Sequence, residues 1–252
     1  MSTPTIELIY RHGSVRDYKP DPVPDALVEE IVAAGQRAST SSNLQPYSVV
    51  STTDKEKIKQ IQEIAGGQRH ITQAPVFLLW CADFSRLKRV CLHQGYQMSA
   101  DYMENFLVGA VDAAIASQNA ALAAESLGLG LCYIGAIRND PRRMISLFQL
   151  PELVFPVFGM TLGWPVKAPF IRPRLPLKAV LHKETYLQDD LALLKEYDQA
   201  MIDTGIYKGR QVDRQDQDPA DYGWMEHSAR RASNPSRTDL REAILEAGFG
   251  LK

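Results

Sequence analysis

The chain reads as a single α+β domain over residues 1–252, with a C-terminal excursion at about 165–252. Three observations carry that reading. Strand-like and helix-like segments alternate loosely, with helices dominant. No internal repeat and no linker-like stretch interrupts them. Hydrophobic residues make up 45% of 252, enough for one sizeable core.

The elements follow in order. "TPTIELIYRH" predicts a short opening helix, with Thr3 as cap and Pro4 at the first helical position. After the loop Gly13–Pro24, "PDALVEEIVAAGQRA" puts Leu27, Val28, Ile31, Val32 and Gly35 on one helical face. "STSSNLQPYSVVST" turns from small polar residues into a strand around Tyr47–Ser51. Residues 54–65 predict a helix stopped by Gly66-Gly67, and "PVFLLWCAD" a buried strand. Residues 84–107 read as helical and mixed in character. In Val111–Leu127, 11 of 17 residues are Ala, Val, Ile or Leu, spread around the helix, which predicts burial on most sides in a core or a subunit interface.

"LGLGLCYIGAI" leads into a strand, "DPRRMISLFQL" is a short helix opened by Pro141, and "PVFGMTLGWP" is a further strand. "PVKAPFIRPRLPLKAV" runs extended over a surface, and residues 188–203 form a helix. "YKGRQVDRQDQDPADYG" is charged and apolar-poor, which predicts mobility. The tail closes as a helix capped by Ser236 or Thr238.

Composition narrows the function classes. Net charge is −2, without the basic excess of a nucleic-acid binder. No signal-peptide pattern opens the chain and no run of eighteen apolar residues predicts a membrane span. Cys81, Cys91 and Cys132 are odd in number and widely spaced, which fits a reducing cytoplasm. The five histidines make neither HxxxH nor HExxH, so no metal site is expected.

The chemistry concentrates in "RHGSVR". His12, Ser14 and Arg16 fall at alternate positions, beside Arg11. Such residues near a terminus are usually solvated, and Ser14 alone is compatible with capping a turn. A second cluster, "IRPRL", puts Arg172 and Arg174 at alternate positions around Pro173. A residue before proline is extended, and alternate residues of an extended segment point the same way. Guanidinium forks and a hydroxyl suit phosphate oxygens. If the two clusters meet, they hold one phosphate group of a cofactor. GxGxxG and GxxxxGK[ST] are both absent; Gly128, Gly130 and Gly135 have the wrong spacing and lead into a strand.

Nearly the whole chain resembles the flavin-dependent nitroreductases, in particular the oxygen-insensitive NADPH nitroreductase and NADPH–FMN oxidoreductase subgroup. The resemblance is carried by "TPTIELI", "HGSVRDY", "STSSNLQ", "GGQRHITQAP", "CADF", "AAESLGLGLCYIGAIRND", "FGMTLGWP", "RPRLP" and "AILEAGF", in that order. It implies a central, mostly antiparallel sheet flanked by helices, in an obligate interlocked homodimer with FMN at the interface. It also implies that His12, Ser14, Arg172 and Arg174 grip the FMN phosphate and that Arg16 tunes the flavin electrostatically near N1/O2, with no side chain acting as catalyst. By the same likeness the strand segment Tyr133, Ile134, Gly135 and Ala136 lies beside the flavin, Gln68 bonds its pyrimidine edge or ribityl chain, and Thr40, Ser41 and Ser42 contact it from the partner subunit. The bland readings stand beside these: "TSS" as a helix-ending turn, Gln68 as a partner for the Gly66-Gly67 turn, and Trp164 as core.

The implied activity is NADPH-driven, two-electron reduction of nitroaromatics and quinones, ping-pong and oxygen-insensitive, in the cytoplasm. On the same fold, a flavin (FMN) reductase or chromate reductase is the alternative, and a non-catalytic flavin-binding protein a more distant one. The chain departs from the family pattern twice. Gly13 stands where relatives carry arginine, so one phosphate contact is missing unless Arg11 supplies it. In the segment implied to bind the NADPH 2′-phosphate, Lys208 falls at the expected point with Arg210 and Arg214 nearby. Asp213, Asp216 and Asp218 weaken the positive field there.

Overall fold

A computed structural model describes residues 2–209 and 222–252. They form two compact units, residues 1–170 with 237–252, and residues 171–236. The sheet lies in the first. Strands β1 (Tyr47–Thr52), β2 (Val76–Asp83), β3 (Gly130–Ile134) and β4 (Val154–Gly163) pair antiparallel in the order β1-β2-β4-β3.

Strand β2 is buried along its whole length, and its alternation builds two cores. Val76, Leu78 and Trp80 pack with residues of helices α2 (Asp25–Gly35) and α6 (Met103–Ser126). Phe77, Leu79 and Cys81 pack with residues of α3 (Lys55–Ile64), α4 (His70–Gln73) and α7 (Pro141–Phe148). A third cluster joins Ala82, Phe84, Leu153 and Phe155 to Ala243, Ile244, Ala247 and Phe249 around α10 (Leu240–Glu246).

Side-chain caps open three of the helices among the described residues. Thr3 Oγ1 accepts the Ile6 N–H at 3.3 Å to open α1 (Pro4–Tyr10). Asp54 and Asp140 cap α3 and α7 through bonds to Glu56 N and Arg143 N. Three expectations change and a fourth, for α6, is narrowed. Residues 84–107 are not one helix: α5 (Ser85–His93) ends before Gly95, whose φ of +77° is a conformation that glycine adopts without strain. Within the single chain helix α6 is buried on one side, so the core alone does not cover it and its other side is open to the subunit interface that the expectation also named. Ala113, Ala116, Ala120, Ala121 and Ala124 are buried, whereas Val111, Ile115 and Leu127 stay 45%, 43% and 41% exposed. Strand β3 stops at Ile134, so Gly135 and Ala136 lie in a 3-10 turn over Gly135–Asn139. Neither Ser236 nor Thr238 caps α10, which starts after Asp239.

Helix α6 is long and apolar enough to cross a membrane by length and composition. Its alanine face belongs to the core against the sheet, and it carries the buried Asp112. The second unit contains α8 (Leu191–Asp203) and α9 (Trp224–Ser233), with Tyr197, Met201, Tyr207 and Tyr222 at its centre.

Candidate functional site

The segment after α1 is extended and locked to the sheet. Val15 N donates to Leu131 O at 2.8 Å, Lys19 N to Trp164 O at 2.8 Å and Val166 N to Asp17 O at 3.1 Å. Val15 and Tyr18 are buried with Ala74. The Tyr18 hydroxyl donates to Val15 O at 2.9 Å and meets Thr161 Oγ1 at 2.8 Å. Burial pushes this phenol well above its ordinary range. With Gly13 and Val15 inward, the alternation leaves His12 and Ser14 part-exposed and Arg16 exposed. Arg16 makes no hydrogen bond or ion pair among the described residues, yet its charge acts on His70. His70 is only 7% exposed, and its Nε2 is buried with no hydrogen-bond partner. Burial first, and then Arg16, hold its imidazole below the ordinary histidine value.

His12 is tied to the last turn of α6. Its Nδ1 lies 2.6 Å from Glu125 Oε1, and both side chains are largely covered. The second carboxylate oxygen of Glu125 is buried without a hydrogen-bond partner.

Thr40, Ser41 and Ser42 form a tight turn before β1. Ser42, Asn43 and Gln45 all have positive φ, at 48°, 57° and 51°, which non-glycine residues adopt at a cost. What holds the turn is Asp112, 2% exposed in α6, whose carboxylate accepts the Ser41 N–H at 3.1 and 3.3 Å. Burial pushes this carboxyl up, and the Ser41 N–H partly offsets the shift.

Gln68 donates from Nε2 to Ala65 O at 2.9 Å, which leaves its amide oxygen for another partner. Tyr133 is half-buried, with its hydroxyl 3.0 Å from Ser117 Oγ. Ile134 points into the core, so only its backbone is available. In the following turn, Arg138 lies against Gly135 and donates to Val157 O.

In the second unit, Arg172 and Arg174 are both exposed, and Arg174 Nη1 donates to the carbonyls of Arg172 and Pro173 at 3.2 and 3.4 Å. Lys208 is exposed in the turn after α8, and Tyr207 and Tyr222 meet edge to face at 6.2 Å. Arg210 and Arg214 lie outside the described residues. A groove of about 890 Å³, bounded by Pro20, Val23, Lys59, Gln62 and Gln73, contains none of these positions.

Sequence reasoning missed Asp112, Glu125 and Arg138. The first two had a signal: each is an acid within an otherwise apolar helix, which is costly to bury without a partner.

Comparison with known proteins gives a consistent picture. Residues 9–164 match the model described as the nitroreductase family, and residues 172–252 match its C-terminal domain. The chain is 37% identical over 250 residues to the oxygen-insensitive NADPH nitroreductase of Salmonella typhimurium, covering 99% of this chain and 100% of that one. It is 46% identical over 200 residues to an FMN reductase (NAD(P)H) of Bacillus subtilis, covering 78% and 80%. Among solved structures, B. megaterium NfrA2 superposes with a TM-score of 0.91 at 36% identity, over 100% of both chains.

Proposed function

The chain belongs to the nitroreductase family, and we propose that it is an FMN-dependent NAD(P)H oxidoreductase, reducing nitroaromatics and quinones in two-electron steps. The observation that carries this reading is the donor face of residues 12–16: an imidazole, a hydroxyl and a guanidinium on one side of a segment fixed to β3 and β4.

Those donors fit a flavin mononucleotide. His12 and Ser14 would hold the phosphate, and the family resemblance assigns the same role to Arg172 and Arg174. Arg16 has no acid partner among the described residues, so its charge is available to stabilise negative charge developing at the pyrimidine end of the ring. Gln68, with an unused amide oxygen, and the backbone from Tyr133 to Ala136 would line the ring system. When bound, the flavin supplies the redox chemistry by accepting electrons from NADPH and passing them on in pairs. The side chains bind and orient, and none is required as nucleophile or general base.

A homodimer is part of this proposal. Met103, Leu107, Val111 and Ile115 form an exposed apolar stripe along α6, 43–53% accessible, of the kind that marks a protein interface. The Asp112-pinned turn at Thr40–Ser42 would then reach the partner's cofactor. Lys208, Arg210 and Arg214 would read the NADPH 2′-phosphate. The free cysteines fit a cytoplasmic setting.

Free flavin is the second acceptor reading, favoured by the 46% identity to an FMN reductase. Steady-state NADPH oxidation in air with nitrofurazone, a quinone, chromate or free FMN tests both. The main reading expects parallel double-reciprocal lines and fastest turnover with the nitro compound or quinone. Turnover confined to free FMN would replace it with the second reading.

A further inference from the structure

We infer that Glu125 is a positioning residue for the cofactor phosphate: it fixes the His12 ring through Nδ1 and keeps it cationic, so that Nε2–H faces a phosphate oxygen. This inference rests on the FMN reading above.

The contact joins residues 113 apart in sequence at 2.6 Å, so the fold makes it rather than local geometry. The two ring nitrogens lie on different edges of an imidazole. With Nδ1 committed to Glu125 Oε1, Nε2 is directed away from the carboxylate. A neutral ring donating through Nδ1 would offer a lone pair at Nε2, which repels phosphate oxygens. A protonated ring donates from both nitrogens.

Two features favour the protonated form. The carboxylate is adjacent, and its other oxygen, Oε2, is buried with no hydrogen-bond partner, so among the described residues the carboxylate is met by His12. Glu125 also sits in the last turn of α6, where helix carbonyls add negative partial charge. Among the described residues, further titratable groups here are Tyr133 on β3, which feels the Glu125 charge, and Glu7, Arg11 and Arg16 on the same stretch of chain as His12. A bare buried carboxylate beside a phosphate would repel it; the imidazolium between them converts that repulsion into a relay of two charge-assisted bonds.

The test is titration of apo-protein with FMN and with riboflavin, followed by flavin fluorescence, between about pH 7 and 9, where the flavin phosphate is already a dianion. The wild type should bind FMN more weakly as pH rises through the His12 transition, while riboflavin, which lacks the phosphate, shows no such loss. In Glu125→Gln the midpoint should move down by about one pH unit or more. At a pH between the two midpoints, FMN affinity should fall by up to about tenfold. His12→Asn should abolish the transition, which keeps the test decisive if Glu125→Gln does not fold. A Glu125→Gln curve superposed on the wild type, or weakened equally at every pH, would overturn the inference while leaving FMN binding intact. A wild type that binds neither flavin would overturn the cofactor reading itself.

Discussion

Gly13 packs directly against Pro169. A methyl group built on Gly13 would come within 2.8 Å of Pro169 Cβ and 2.9 Å of the Phe170 carbonyl oxygen, closer than atoms approach without displacement. The glycine is therefore more than a lost cation: its small size lets the 165–170 segment cross the chain next to His12. Gly13→Ala should destabilise the protein by about 1–3 kcal/mol, as overpacking of a tight contact does. Gly13→Arg, which supplies the arginine that the family resemblance implies at this position, should not improve FMN affinity. Urea denaturation and FMN titration check both. A Gly13→Ala variant as stable as the wild type would show that the segment yields freely.

The phosphate clamp makes a separate prediction. Under the proposed assignment, Arg172→Ala with Arg174→Ala would remove two charge-assisted contacts to the phosphate, each worth about 1.5–3 kcal/mol. FMN affinity should fall by at least two orders of magnitude, while sedimentation still reports a dimer. Undiminished affinity would remove both arginines from the site.

Lys208 is exposed, so the interaction proposed for it with a dinucleotide phosphate would be screened by salt. Lys208→Ala should raise the KM for NADPH roughly two- to fivefold, the scale of an exposed ion pair, and leave that for NADH nearly unchanged. Equal changes for both would mean that Lys208 does not read the 2′-phosphate.

The C-terminal helix is held by Arg142, which reaches Glu246 with Nε at 2.6 Å and Nη2 at 2.9 Å, and Asp239 with Nη1 at 2.8 Å. The bond from Arg142 holds the Glu246 carboxyl below its ordinary 4.5. A depressed carboxyl stabilises the fold above its unfolded-state value, and that contribution disappears as pH falls through the folded-state value. Glu246→Gln should therefore lower the melting temperature near neutrality and converge on the wild type as the pH falls through the depressed folded-state value. Amide exchange should rise first in α10. A constant gap between the two proteins at every pH would contradict this.

Much of this molecule was legible in the sequence because its signals are local. The Thr3 cap, the helix start at Pro141, the apolar run of β2 and the alternation of His12, Ser14 and Arg16 each depend on neighbours a few residues apart. Gly95 was equally local, but the mixed polarity around it masked the break between α5 and α6. What escaped depends on contacts across the fold. Nothing near His12 announces Glu125, and nothing near Ser41 announces Asp112. The approach of Pro169 that requires glycine at position 13 is likewise visible only in three dimensions. Helix α9 was missed because "GWMEHSARRAS" has few apolar residues to set a period.

The measurement that bears most directly on the whole account is the absorption spectrum of the purified protein, with FMN supplied, before and after anaerobic NADPH. The account predicts a bound-flavin spectrum that bleaches fully in a single two-electron phase. A protein that holds FMN tightly but is not bleached by NADPH would be a flavin binder without turnover, and one that refuses FMN would leave the donor face of residues 12–16 without its ligand.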